Sequence, residues 1–340
     1  MFKPFKASMS IALTAALFLS ACSSGSEETT SAKETKSADD KIVLGFNPWP
    51  GYYPWFIAKE KGFFEKYDLD VEIKEFAVLS DELNALSAGQ LDAAGVTIND
   101  LVVPLSNDIK LKVVNVHDIS NGGDAVVVNK DISSFDDLKG KKFAAEIGTV
   151  DHLLTMVGIK EAGLKESDVN ITNMSSNDAG PSLIAGNLDG AALYEPFIGQ
   201  AIEGSNSKVL FSSADVPGLI TDVMAVTDDL AEERPEDVKN MIRAWYEALE
   251  YWKENPEESM EIMAEAADLP ADEYEKVFES IRMYTIDESI AAFEKKDEYS
   301  SLHYTGKETA KFLKQLDMIK DEPNLEDAID VQFVEDVKGK

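Results

Sequence analysis

The sequence predicts an α/β protein built from two similar lobes. Three observations carry that expectation. Short apolar runs alternate with helical ones from Lys41 onward, one helix–turn–strand pattern occurs twice, and two β-rich segments bracket residues 130–221. Alternating strands and helices imply βαβ units around parallel sheets. A length of 340 residues fits roughly two domains.

The elements follow in order. KIVLGF at 41–46 is a short apolar strand. PWFIAKEKGFFEKY carries apolar residues at helical spacing, with Gly62 near its end. LDVEIKEFA alternates as a strand does, DELNALSAG is a helix closing at Gly89, and LDAAGVT returns to strand. The stretch Ala88-Gly89-Gln90-Leu91-Asp92-Ala93-Ala94 then recurs as Ala185-Gly186-Asn187-Leu188-Asp189-Gly190-Ala191. In both, a helix ends at glycine, a turn follows and a buried strand begins. The segments beginning at Asp124 and Asp222, DAVVVN and DVMAVT, are expected to be two crossings between lobes. Adjacent crossings form a hinge, and the cleft between the lobes becomes the ligand site. After residue 228 the chain reads as amphipathic helices, with Pro235 in a first turn and Pro256 at a break, expected to pack back on the first lobe. The expected divisions are 41–125 for the first part of lobe 1, 126–225 for lobe 2 and 226–340 for the return to lobe 1.

Composition narrows the function. With 32 Lys+Arg against 64 Asp+Glu the formal charge is −32, which repels nucleic acid phosphates. A hydrophobic content of 44% supports a real core. One cysteine excludes an internal disulfide framework and any multi-Cys metal site, and the three histidines lack metal-type spacing. No Gly-x-Ser-x-Gly elbow and no HExxH motif occur. No catalysis, cofactor or metal is expected.

Residues 1–21 begin with Lys3 and Lys6 and continue into a short apolar run, Ile11 to Leu19. The run is too short for a hydrocarbon core of roughly 30 Å and has the shape of a secretory signal. Its end, Leu19-Ser20-Ala21-Cys22, resembles a bacterial lipoprotein signal, which implies cleavage before Cys22 and acylation of that cysteine. Loss of 1–21 would remove two lysines and deepen the negative charge by two. Residues 22–40 carry no large apolar side chain and read as a tether reaching roughly 25 Å. The expected location is the outer face of the cytoplasmic membrane, or the periplasm, anchored at Cys22.

A family resemblance joins these readings. Asn47-Pro-Trp-Pro-Gly-Tyr-Tyr-Pro-Trp55 with Ala58-Lys-Glu-Lys-Gly-Phe-Phe64, Asp137-Leu-Lys-Gly-Lys141, Gly148-Thr149, Ala185-Gly-Asn-Leu-Asp189 and Tyr194-Glu-Pro196 occur in that order. The ordered set resembles substrate-binding lipoproteins of nitrate/sulfonate/taurine-type ABC importers over roughly residues 41–265. The resemblance implies a bilobed periplasmic-binding-protein fold (type II, a Venus flytrap) with a helical C-terminal segment on lobe 1. It also implies a small-molecule ligand and, as partners, an ABC permease with its ATPase. The protein is expected to act as a monomer. Relatives of this fold that make a thiamine pyrimidine carry a cysteine-rich motif, which this chain lacks. A membrane-anchored ligand-sensing receptor would share the anchor and the fold.

Loops at the carboxyl ends of strands line such clefts. The loop 47–55 is stiffened by three prolines and a glycine and crowded with rings. Asn47, Trp49 and Tyr52 are expected at the ligand, while Trp55 fits cleft or core alike. Asn99 follows the strand LDAAGV. Asp118, Asn121 and Asp124 flank a Gly pair that admits close backbone approach; Asp118 and Asp124 also suit turn formation, and one of the two is expected in the cleft. In lobe 2, Glu146 and Thr149 sit at a strand-to-helix turn, Asp178 at a helix start, and Glu195 at a strand end before Pro196. Asp151 reads equally as a plain first-turn acid. The chain has three arginines, Arg234, Arg243 and Arg282, all in the helical tail. Acids and rings without arginine favour an amine, guanidinium-like ion, zwitterion or aminopyrimidine over a bare anion. Helix N-termini leave sulfonate, taurine or nitrate open as the alternative.

Overall fold

A computed structural model describes residues 41–339. The expected signal, Cys22 and the tether therefore lie outside the described residues. The strands are β1 (Lys41–Phe46), β2 (Asp70–Glu75), β3 (Ala93–Thr97), β4 (Leu111–Ser120), β5 (Asp124–Asn129), β6 (Phe143–Ala145), β7 (Ile171–Asn173), β8 (Gly190–Tyr194), β9 (Ser207–Ser212), β10 (Thr221–Thr227) and β11 (Ile281–Met283). They form two sheets, ordered β11-β4-β10-β3-β1-β2 and β7-β6-β8-β5-β9. Each sheet is the floor of one lobe.

The two lobes share a plan. In the first, β1 pairs parallel with β2 and β3; in the second, β6 pairs parallel with β7 and β8. Each parallel set then meets one antiparallel strand, β10 against β3 and β5 against β8. The repeat seen in the sequence marks equivalent joints. Asp92 accepts from the Val43 amide at 2.7 Å, and Asp189 accepts from the Lys142 amide at 2.9 Å. Gly89 and Gly186 both end their helices with positive φ, +67° and +73°. The acid, placed just before the last parallel strand, locks its start to the start of the first.

The segments expected as crossings are strands instead. DAVVVN is β5 and DVMAVT is β10, and the crossings precede them at 121–123 and 213–220. The reason is burial: five of the six residues of β5 and six of the seven of β10 are buried, as mid-sheet strands require, whereas the crossings carry Gly and Ser. The two crossings are bonded together. Ser213 Oγ lies 2.8 Å from Ser120 Oγ and accepts from the Gly122 amide at 2.7 Å, while the Ser120 amide donates to the Ile220 carbonyl.

Lobe 1 has one continuous core that takes in the C-terminal helices. Helix Pro235–Glu254 buries Val238, Met241, Ile242, Ala244, Trp245 and Ala248. Their roughly three-to-four-residue spacing makes one apolar stripe. Trp245 packs on Trp55 with ring centroids 4.8 Å apart, so Trp55 belongs to the core. His117 sits between them and Tyr52, fully buried, and desolvation lowers its pKa to about 3. Helix Leu302–Gln315 spans the junction of the lobes: Leu313 and Ala310 pack with Val102 of lobe 1, and Phe312 also touches the core of lobe 2.

Candidate functional site

Between the lobes lies a cavity of about 20 Å³, close to the room one water needs. Asn47, Trp49, Tyr52, Leu79, Thr97, Asp100, Ile220 and Asp222 line it from lobe 1 and the second crossing, and Asp124, Val150 and Tyr194 from lobe 2. Anything larger than a water needs the lobes to swing apart about the crossings.

The leading loop builds the aromatic wall. Asn47 Oδ1 accepts from the Trp49 amide at 2.9 Å, and Pro50–Tyr52 forms a single tight turn with proline at its start. This holds both rings inward at 4% and 1% exposure. Trp49 Nε1 donates to Asp118 Oδ1 at 3.1 Å, and the Tyr52 hydroxyl donates to Asp222 Oδ1. Asp118 and Asp222 are register partners on β4 and β10. A Cβ on Gly51 would run into the Asp118 carboxyl, and one on Gly123 would sit 2.6 Å from the Trp49 ring. Glycine at these two positions lets the loop and the first crossing close on the acids and the indole. Tyr194 meets Trp49 edge-on across the cleft, with centroids 6.4 Å apart.

Seven acids surround or back this cavity: Glu82, Asp100, Asp118, Asp124, Glu146, Asp151 and Asp222, none more than 4% exposed. Among the described residues no lysine or arginine is buried with them. Burial pushes Asp100 and Asp151 up to about 7, and it lifts Glu82, Asp124 and Asp222 well above the usual carboxylate range, with neighbouring acids adding to the rise. Asp118 is raised for the same reason, first by burial and then by Asp124. Such groups hold protons or await a cation, because several bare charges at low dielectric repel one another strongly. Asp124 Oδ2 and Asp222 Oδ2, both on cavity-lining residues, have no well-formed hydrogen bond, although the Ser120 hydroxyl stands by the Asp124 carboxyl and the Asp118 carboxyl by that of Asp222.

Two of these acids join the lobes. Asp100 Oδ1 accepts from the amide of Val150, the first residue of helix Val150–Glu161 in lobe 2, at 2.8 Å. Glu146 Oε1 accepts from the amide of Ser80, in the first turn of helix Leu79–Ser87 in lobe 1, also at 2.8 Å. Asp100 is fixed from its own side by Thr97, whose hydroxyl donates to Oδ2 at 2.6 Å.

The expected site residues divide accordingly. Asn47, Trp49, Tyr52 and Asp124 line the cavity, Asp118 stands behind Trp49, and Glu146 and Thr149 form the lobe 2 turn, where the Thr149 hydroxyl donates to the Glu146 carbonyl. One of Asp118 and Asp124 was expected in the cleft: Asp124 lines the cavity, and Asp118 is buried behind Trp49. Four residues lie elsewhere. Asn99 is buried but donates to Thr309 of helix Leu302–Gln315, because the turn after β3 presents Asp100 to the cleft instead. Asn121 is exposed in the first crossing, its amide donating to the Ser280 carbonyl. Asp178 is an exposed first-turn acid near Ser175. Glu195 follows the last residue of β8 and faces a separate groove with Leu269, Glu273 and Lys276, accepting from the Gly199 amide at 3.1 Å. Tyr194, one residue earlier, takes the cleft position. Sequence reasoning passed over Tyr194, Asp100, Asp222 and Glu82. Asp222 carried a usable signal: it opens its β-rich run as Asp124 opens the other.

Two α/β lobes joined by paired crossings around a buried cleft define the periplasmic-binding-protein fold. The alkanesulfonate-binding protein SsuA from Xanthomonas axonopodis pv. citri, solved with MOPS, superposes with a TM-score of 0.72 at 16% identity over 86% of this chain and 98% of that one. The chain belongs to the NMT1-like family, whose model matches residues 35–267. A Brucella abortus protein named as a binding protein is 30% identical over 61% of this chain, and the match spans 65% of that protein's length. The taurine-binding periplasmic protein of Escherichia coli is 28% identical over 72% of each chain.

Proposed function

We propose that this protein is the extracytoplasmic substrate-binding component of an ABC importer. It captures a small nitrogen-bearing compound (an amine, guanidinium-like ion, zwitterion or aminopyrimidine) and delivers it to a permease and its ATPase. Family and fold support the binding role. One observation carries the ligand class: a closed cleft backed by seven buried acids and walled by Trp49, Tyr52 and Tyr194, with no buried lysine or arginine among the described residues. Unpaired acids of this kind gain most from a cation that supplies N–H donors, and the rings add cation–π attraction. A bare anion brings no N–H donor to these carboxyls and is repelled by any that are ionised. The cavity-lining groups are rings, aliphatics, an amide, a hydroxyl and carboxyls, a set suited to capture rather than chemistry. In this reading the monomer is held at the outer face of the membrane by acylated Cys22, and Cys22→Ser should release it from the membrane fraction while leaving its melting temperature unchanged.

A thermal-shift series with ethylammonium, guanidinium, an aminopyrimidine, taurine, ethanesulfonate and nitrate tests the ligand class. A nitrogen base present at 100 times its Kd should add about 2.7 kcal/mol of stability. If ethanesulfonate or nitrate raises the melting temperature and no nitrogen base does, the cationic reading is wrong.

A further inference from the structure

Resting on that cationic reading, we infer that Asp100 and Glu146 are selectivity residues that reject ligands bearing an anionic group, zwitterions included. Two helices of nine and twelve residues begin at the lobe junction, and each offers its first-turn amides and positive dipole end as a ready anion site. Both are already taken by the protein's own carboxylates. Asp100 of lobe 1 holds the Val150 amide of lobe 2, and Glu146 of lobe 2 holds the Ser80 amide of lobe 1, each at 2.8 Å. The exchange is reciprocal, so each lobe supplies the carboxyl oxygen that occupies the other lobe's helix start. A ligand carboxylate or sulfonate would have to displace one of these buried acids, each at most 4% exposed.

The acceptors left for a ligand point the other way. Asp124 Oδ2 and Asp222 Oδ2 have no well-formed hydrogen bond. When their acids are ionised, these two oxygens accept from ligand N–H groups. The favoured ligand is a compact cation with several N–H groups and no acid, which narrows the proposed class by removing zwitterions.

Ethylammonium and taurine test this, since they share an aminoethyl unit and differ by the sulfonate. Isothermal titration should show wild type binding taurine at least a hundredfold more weakly than ethylammonium. Asp100→Ala and Glu146→Ala each free one helix amide, and each should raise taurine affinity at least tenfold. Glu146→Gln keeps an acceptor on the Ser80 amide and should show no gain. The two Ala variants act at separate helices, so if one fails to fold the other decides. Taurine affinity unchanged in every folded Ala variant overturns the inference. Tight binding of ethanesulfonate by wild type, with ethylammonium ignored, overturns the cationic reading instead.

Discussion

The two lobes are built on one plan and equipped unequally. Both run parallel strand, helix, strand, helix, strand, both close the unit with an aspartate on the first strand's amide, and both accept an antiparallel strand after a crossing. Lobe 1 adds the rigid aromatic loop and the C-terminal helices, and it supplies Glu82, Asp100, Asp118 and Asp222. Lobe 2 has β6 and β7 of only three residues and contributes Asp124, Glu146, Asp151 and Tyr194. Lobe 1 thus supplies most of the cavity lining on a deep core, and lobe 2 the smaller opposing face. The lesson is that a duplicated frame keeps the joints, while the loops after its strands diverge into function.

The sharpest way to break this contrast is at the core of lobe 1. Trp245→Ala should destabilise the protein by about 3–5 kcal/mol, since it empties the space against Trp55 and His117. Chemical denaturation gives the magnitude. Hydrogen exchange should show β1 and β3 losing protection before β5 and β8; equal loss in both lobes would show that they unfold as one unit.

At the cleft, Asp222→Asn removes one charge from the acid cluster with little change of shape. It should weaken binding of a nitrogen base by about 2–5 kcal/mol, read by titration calorimetry, and binding at wild-type strength would remove Asp222 from the site. Asp124→Asn makes the same test from lobe 2.

Stability against pH separates the cluster from the surface. Asp100 and Asp151 are raised to about 7 in the folded state against about 4 unfolded, so the folded form binds more protons across that interval. Their effect is to lower stability as pH rises from about 4 to about 7, so melting at pH 5 should exceed melting at pH 8 by several degrees. Asp100→Asn should flatten that slope, and a nitrogen base should stabilise most at the alkaline end. A slope of opposite sign would mean that these acids are charged in the fold.

The smallest effect is expected at Glu195. It bonds to the Gly199 amide beside a different groove, so Glu195→Gln should leave ligand affinity within about twofold of wild type. A larger loss would extend the site beyond the cavity.

Much of the frame was legible because its determinants are local. The alternation of elements, the repeat around Asp92 and Asp189, and the loop stiffened by Pro48, Pro50 and Pro54 all follow from short-range pattern. The β-rich runs at 124 and 222 read as links from sequence alone, because sequence shows that a run is apolar without showing that neighbours flank it on both sides. The cleft was legible in kind, through acids and rings without arginine, and less so in detail. Choosing Asn99 over Asp100, or Glu195 over Tyr194, turns on one residue of backbone rotation at a strand end, which depends on what the chain meets next. Glu82 looks like an ordinary helix acid in the sequence, yet it is fully buried in the fold.

Ser213 gives the crossings a mechanical meaning. Its hydroxyl meets both Ser120 and Gly122, so the outgoing and returning chains are stapled side by side. Two loose links would let one lobe twist, slide and tilt against the other. A stapled pair acts as an axle and leaves one soft coordinate, the angle of the gape. Whatever docks across both lobes then reads a single variable, the spacing of the two rims, and that spacing reports whether the cleft is filled.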